Sequence, residues 1–208
     1  MPYGFLDIAL TPSVRAAQEA MGSDRIWQNF KGHRAFDELT PAEAAFIAER
    51  DSFYMATVSE TGWPYVQHRG GPPGFLKVVD KKTLAFADYR GNRQYLSVGN
   101  LAADDRAALI LVDYARRARL KILAHVKVVP LDADPALAAL VAEPAQKAKP
   151  ERILVLHLDA FDWNCQQHIT PRFTEREIAA AIQPLRDRLQ ALEAENAELR
   201  AKLAVQGN

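Results

Sequence analysis

The sequence predicts a mainly β chain with peripheral helices, an α+β protein whose strands form a small antiparallel barrel, followed by a long C-terminal helix. Three observations carry that expectation. Short runs rich in β-branched and aromatic residues recur between residues 52 and 158, with turn signals between them. Helical signals flank these runs without alternating with every strand, which argues against a doubly wound α/β sheet. From residue 178 the apolar spacing changes to steps of four and three and holds to residue 203.

In chain order, Thr11 and Pro12 supply an N-cap and a first helical proline. Val14, Ala17 and Met21, and less regularly Ile26 and Trp27, then give a helix over residues 11–30. Thr40 and Pro41 repeat the signal, Glu43 completes a capping box, and Ala44–Ala48 form the apolar side of a short helix ending near Arg50. Ser52–Ser59 is a strand that turns at Glu60-Thr61-Gly62 into a return strand over Tyr65–Arg69. Phe75–Asp80 and Thr83–Ala87 are further strands joined by Lys81-Lys82, and Asn92–Leu101 is a helix. Ala108–Val112 is apolar on both faces, as in a strand covered on both sides, whereas Leu120–Val128 alternates as a strand with one buried face. Asp134-Pro135 opens a helix to about Val141, and Ile153–Leu158 is the last clear strand.

Composition narrows the function. The chain has 26 basic and 26 acidic residues in 208, so it has no general electrostatic reason to seek nucleic acid or an anionic membrane. No apolar run approaches the roughly 18 residues of a membrane span, and the first residues lack the basic and apolar regions of a signal peptide. A single cysteine, Cys165, allows no intramolecular disulfide and fits a reducing compartment. The expectation is a cytoplasmic protein in which Cys165 is structural. His33, His68, His125, His157 and His168 are scattered without zinc-like spacing, so no metal site is expected.

The tail reads as a zipper. Ile182, Leu189, Asn196 and Leu203 occupy a positions, and Leu185, Leu192 and Leu199 occupy d positions. Thr174 and Glu177 form a capping box at its start, and Pro184 predicts a break or kink near residues 181–184. In a parallel pair Arg188 at g meets Glu193 at e, and Glu195 meets Arg200. Residues 1–173 are therefore read as a barrel domain with N-terminal helices. Residues 174–208 are read as a helix forming a parallel dimeric coiled coil.

The chemistry is expected in Gln67–Tyr95, where a Gly/Pro-rich turn, short strands and a helix start gather Arg69, Lys77 and Arg93. A phosphate monoester is best held by an arginine fork, a second cation and the donors of a helix start. The stretch Lys77–Asp88 (KVVDKKTLAFAD), followed by Asn92-Arg93-Gln94, resembles the flavin-binding core of the pyridoxamine 5′-phosphate oxidase-like family of FMN-binding split barrels. HRGGPPGFLKVVD, RLKILAHVKVV and FDWNCQQHITPR are similar to a flavin-nucleotide-binding branch of it, over roughly residues 35–175.

The resemblance implies a six-stranded antiparallel split barrel and a homodimer with two FMN molecules at the interface. It places Asn92 and Arg93 on the FMN phosphate, Lys77 on the ring or phosphate, and Asp88 with neighbouring Tyr89 at the strand end beside the flavin. Gln94 stands where the family has a lysine. Arg119 would reach the flavin from the partner subunit, Trp163 with adjacent Asn164 would pack near it, and Arg172 lies close to a late family arginine. Pro72 replaces a family arginine, so Arg69 would have to reach the phosphate from the other side of the Gly/Pro turn. The C-terminal arginine–x–histidine used on pyridoxal substrates is not recognisable. His68 is the residue proposed to touch a small-molecule substrate, and no catalytic residue is named. The implied function is an FMN-dependent oxidoreductase. Its alternatives are a non-enzymatic flavin-binding or sensing module, or the same barrel carrying a deazaflavin or haem.

Overall fold

The structure, a computed structural model, describes residues 4–28, 37–144, 147–163 and 167–206. Asn164 and Cys165 lie outside the described residues. Among the described residues seven strands form one sheet in the order β2-β1-β5-β6-β7-β4-β3. They are β1 (Ser52–Val58), β2 (Pro64–Gly70), β3 (Lys77–Val78), β4 (Thr83–Tyr89), β5 (Arg106–Asp113), β6 (Ala118–Pro130) and β7 (Pro150–Trp163). Every pairing is antiparallel. The expected six-stranded barrel is thus corrected to a seven-stranded sheet that is not closed by backbone hydrogen bonds, with β2 and β3 at its edges.

Side chains bridge the gap instead. Arg69 on β2 reaches Asp88 on β4 at 2.7 Å, although four strands lie between them in the sheet. Phe53 on β1 packs edge-on to Phe86 on β4 at 5.3 Å and stacks on Phe75 at 5.5 Å. The sheet is therefore rolled around one apolar core that includes Met55, Leu84, Leu109, Leu111, Ile122, Leu154, Leu156 and Phe161. Burying each such side chain contributes roughly 1.5–3 kcal/mol. The other face of β4 and β7 presents Ala85, Ala87, Ile153 and Val155 to α6 (Pro135–Val141), with Val141 inserted among them. Alanine's small side chain at two of these positions lets the helix approach closely.

Local chemistry explains where the elements stop. α4 (Pro41–Ala48) starts at the expected box: the Thr40 N–H donates to Glu43 at 3.0 Å, and the Ala42 N–H donates to Thr40 Oγ1. The single helix expected over 11–30 is instead α2 (Pro12–Ala20) and α3 (Asp24–Gln28), parted at Gly22, whose φ of +67° leaves the helical region. A short α1 (Phe5–Ala9) precedes them. The strand expected over 75–80 shrinks to Lys77–Val78, because Asp80 accepts the Lys82 N–H at 2.7 Å and starts the turn early. β5 is also corrected. It buries Ala107, Leu109 and Leu111, while Ala108 is exposed and Ile110 and Val112 are half-buried on the other face.

A second compact unit comprises Tyr114–Arg116 and the chain from Thr170 onward. Its helix α7 (Glu175–Gln206) starts at the Thr174–Glu177 capping box, with the Thr174 N–H donating to Glu177 at 2.8 Å. Of the break or kink expected near residues 181–184, the break does not occur: α7 runs without interruption through Pro184. A single proline deletes one intrahelical bond, and the turns on either side keep theirs. Among the described residues no helix is long and apolar enough to cross a membrane.

Candidate functional site

The ends of the Gln67–Tyr95 stretch meet in space. A cleft of about 280 Å³ is lined by Tyr65, Gln67 and Arg69 from β2, Asp88 and Tyr89 from β4, and residues 91–98. A smaller cleft of about 170 Å³ adjoins it, bounded by His68, Gly70-Gly71-Pro72, Phe75, Phe86 and Glu143. Arg69, Asp88 and Tyr89 belong to both, so the Arg69–Asp88 bridge is the wall between them.

That wall is a buried charge network. Asp88 Oδ1 accepts from Arg69 Nη1 at 2.7 Å, and Oδ2 accepts from Arg152 Nη1 at 3.3 Å. Arg152 sits directly opposite Asp88 in the β4–β7 register, and its Nη2 also donates to Glu151 at 2.8 Å. One carboxylate between two guanidiniums leaves a local positive excess, which Glu151 offsets only on the Arg152 side. Arg69 lies 5.7 Å from the centre of the Phe86 ring, and its Nε is buried with no hydrogen-bond partner among the described residues. Such a donor is costly unless something accepts from it.

The other wall is backbone. The helix expected from Asn92 begins instead at Leu96 (α5, Leu96–Ala103). The cause is local: Arg93 (φ 64°) and Tyr95 (φ 54°) are left-handed, a conformation that costs a non-glycine residue about 1–2 kcal/mol. Asn92 folds the turn, its Oδ1 accepting the Gln94 N–H at 3.2 Å and its Nδ2 donating to Gln94 Oε1 at 3.2 Å. Tyr95 is the N-cap and offers no side-chain cap, so the first-turn N–H groups at Leu96, Ser97 and Val98 precede the first intrahelical bond while their residues line the cleft. Ser97 Oγ donates to Gln67 Oε1 at 2.8 Å, which fastens α5 to β2. Backbone strain beside uncapped helix donors is a feature of anion-binding turns.

The remaining expected residues divide. Tyr89 lines the cleft, and its hydroxyl accepts the Glu143 N–H at 3.1 Å. Lys77 lies outside the lining of both clefts, its ammonium paired with Glu143 at 2.7 Å. His68 borders the smaller cleft and packs edge-on to Tyr54 at 5.5 Å. Arg119 and Trp163 line neither cleft, but the register sets Trp163 opposite Leu120, so both lie at one end of the β6–β7 pair. Trp163 Nε1 donates to Glu43 at 2.7 Å, and its ring meets Phe46 at 4.7 Å. Burial alone would raise the Glu43 carboxyl's pKa; hydrogen bonds from Thr40 and Trp163 outweigh it and hold the group below its ordinary value. Arg172 belongs to the second unit, with its guanidinium 5.0 Å from the Tyr114 ring. Sequence reasoning missed Arg152, Ser97 and the capping role of Tyr95. Arg152 stands beside Glu151 at the start of β7, and nothing local marks it as a partner of Asp88.

The rolled antiparallel sheet, open at one seam, carries the larger cleft beside that seam. The family model described as pyridoxamine 5′-phosphate oxidase matches residues 39–165 of the 208, and the chain belongs to that family. No curated protein matches the chain. Among solved structures, it is similar to HupZ of Group A Streptococcus at 14% identity and TM-score 0.49, covering 65% of this chain and 100% of that one. It is also similar to a Clostridium acetobutylicum protein related to general stress protein 26 of B. subtilis, of the pyridoxinephosphate oxidase family (15% identity, TM-score 0.46, 66% and 94% covered). A third likeness is to an FMN-binding protein from Syntrophomonas wolfei (14% identity, TM-score 0.44, 74% and 95% covered). These three are likenesses of fold alone.

Proposed function

We propose that the chain binds FMN and acts as an oxidoreductase on a small molecule. The carrying observation is the larger cleft, where the Arg93 turn, the uncapped first turn of α5 and Arg69 line one space. The donors suit a phosphate dianion: an arginine, backbone N–H groups of a helix start, and a second arginine whose buried Nε lacks an acceptor. Asn92 shapes the turn that presents Arg93, and Asp88 with Arg152 holds Arg69 in place. Bound FMN would supply two-electron redox chemistry; the protein would supply orientation and electrostatics. His68, on the rim of the smaller cleft, is the side chain assigned to the substrate.

At about 280 Å³ the larger cleft falls just below the roughly 300–1,000 Å³ of a complete ligand site. A second copy supplies the rest. The outer faces of β1, β2 and β5 leave Tyr54, Val58 and Val66 exposed and Ile110 and Val112 half-buried, a contiguous apolar surface suited to an isologous partner. Arg119 and Trp163 are assigned to the half of the site contributed by that partner.

Titration of the purified chain with FMN, followed by flavin fluorescence, tests this reading. Uptake of about one FMN per chain is expected, and Arg93→Ala should weaken it by on the order of 2–4 kcal/mol. A chain that ignores FMN but takes up a deazaflavin or haem overturns the cofactor assignment. Reduction of bound FMN by NADH or NADPH separates an enzyme from a passive flavin module.

A further inference from the structure

We propose that α7 forms a parallel, in-register, two-stranded coiled coil with α7 of a second copy of this chain, with Asn196 fixing the register. This goes beyond the cleft and holds whether or not the chain carries FMN. α7 is one unbroken helix of 32 residues, about 48 Å of helix, so its heptad stripe lies along a single element. Among the described residues, Ile178, Leu185, Leu189, Leu192, Leu199 and Leu203 are 43–71% exposed on that helix and Ile182 is half-buried, an apolar seam left mostly open. Beside the seam a groove is lined by Leu192, Glu193, Asn196, Ala197 and Arg200. It holds a d residue, an a residue and both e charges, the surroundings into which a partner helix inserts its knobs.

Charge identifies the occupant. Among the described residues, Arg188, Glu193, Glu195 and Arg200 make no ion pair, whereas nearby Lys202 is already held by Glu198. In a parallel pair each g residue faces the e residue five positions on in the other helix, so Arg188 meets Glu193 and Glu195 meets Arg200. Both matches arise between identical sequences, which makes a second copy the self-complementary partner. Asn196 selects the orientation. In parallel register its amide meets the same amide, whereas in antiparallel packing it faces a leucine at d and loses its hydrogen bond. Pro184 falls at c, on the outer side, and does not enter the seam.

Single-cysteine chains test this in a Cys165→Ser background. Leu185→Cys and Leu203→Cys should each form a disulfide-linked dimer on mild oxidation. A mixture of the two, exchanged before oxidation, should yield no 185–203 bond. A 185–203 bond would mean antiparallel helices, and thiols that stay reduced in both chains would mean no coiled coil; either outcome overturns the proposal. In the Leu203→Cys chain, Arg188→Glu should lower the effective concentration of the two thiols about tenfold, read against a glutathione buffer at low salt. Adding Glu193→Arg should restore it. A double variant that remains as weak as the single one removes the assigned charge pairing.

Discussion

Asp88 is the residue on which the seam of the rolled sheet depends. It is 7% exposed and is shared by Arg69 and Arg152, side chains that are themselves mostly buried. Removing its charge leaves two guanidiniums facing each other with little water between them. Asp88→Asn is therefore expected to destabilise the fold by about 3 kcal/mol in a denaturant titration, the low end for breaking a buried ion pair. His125 gives a pH-dependent counterpart on the surface. Its Nδ1 hydrogen bond to Asp105 (2.7 Å) raises the imidazole pKa above the ordinary 6.5, with Asp159 adding to it and burial and Arg106 opposing it. A raised folded pKa contributes stability that is fully present below pH 6.5 and is lost as pH rises through the folded value. Asp105→Asn should return the imidazole titration, followed by NMR, toward the ordinary value and flatten that pH dependence.

The elements show what sequence can disclose. The two capping boxes at Thr40–Glu43 and Thr174–Glu177 were legible because their partners lie three residues apart. The β1–β2 hairpin was legible from its turn, where Gly62 takes φ +83°. The start of α5 was not, because the left-handed residues that delay it, Arg93 and Tyr95, are of types that rarely adopt that conformation. Nor was Arg152 legible as Asp88's second partner. That pairing needs the register between strands 64 residues apart, which no local pattern encodes. For β5 the apolar pattern was legible and its cover was not, since periodicity shows that a face is apolar and not whether it is covered. Pro184 shows a local rule overridden by its neighbours. Pro184→Ala restores one backbone bond on the outer side of α7 and should stabilise that helix by about 3 kcal/mol, measured by circular dichroism on thermal unfolding of the full chain.

At the scale of the whole molecule, the cleft reads as half of a site. If the sheet face of β1, β2 and β5 is where a second copy completes it, a charge in that face must weaken FMN binding without touching the cleft. Ile110 lines neither cleft. Ile110→Glu is expected to weaken FMN binding at least tenfold, about 1.4 kcal/mol, in the same fluorescence titration. Unchanged affinity in a folded variant would leave the site within one chain.

The hydrogen bond between Glu43 and Trp163 spans 120 positions of the chain. Helix α4 can nucleate from its own capping box, but its docking site is completed only when the last strand is in place. The same delay applies to β4, whose inner neighbour is β7. Closing such long loops before their contacts form is slow. During synthesis the N-terminal half therefore waits, with its apolar residues unsealed, until β7 has left the ribosome, and the final stitch of folding joins the ends of the barrel's own sequence.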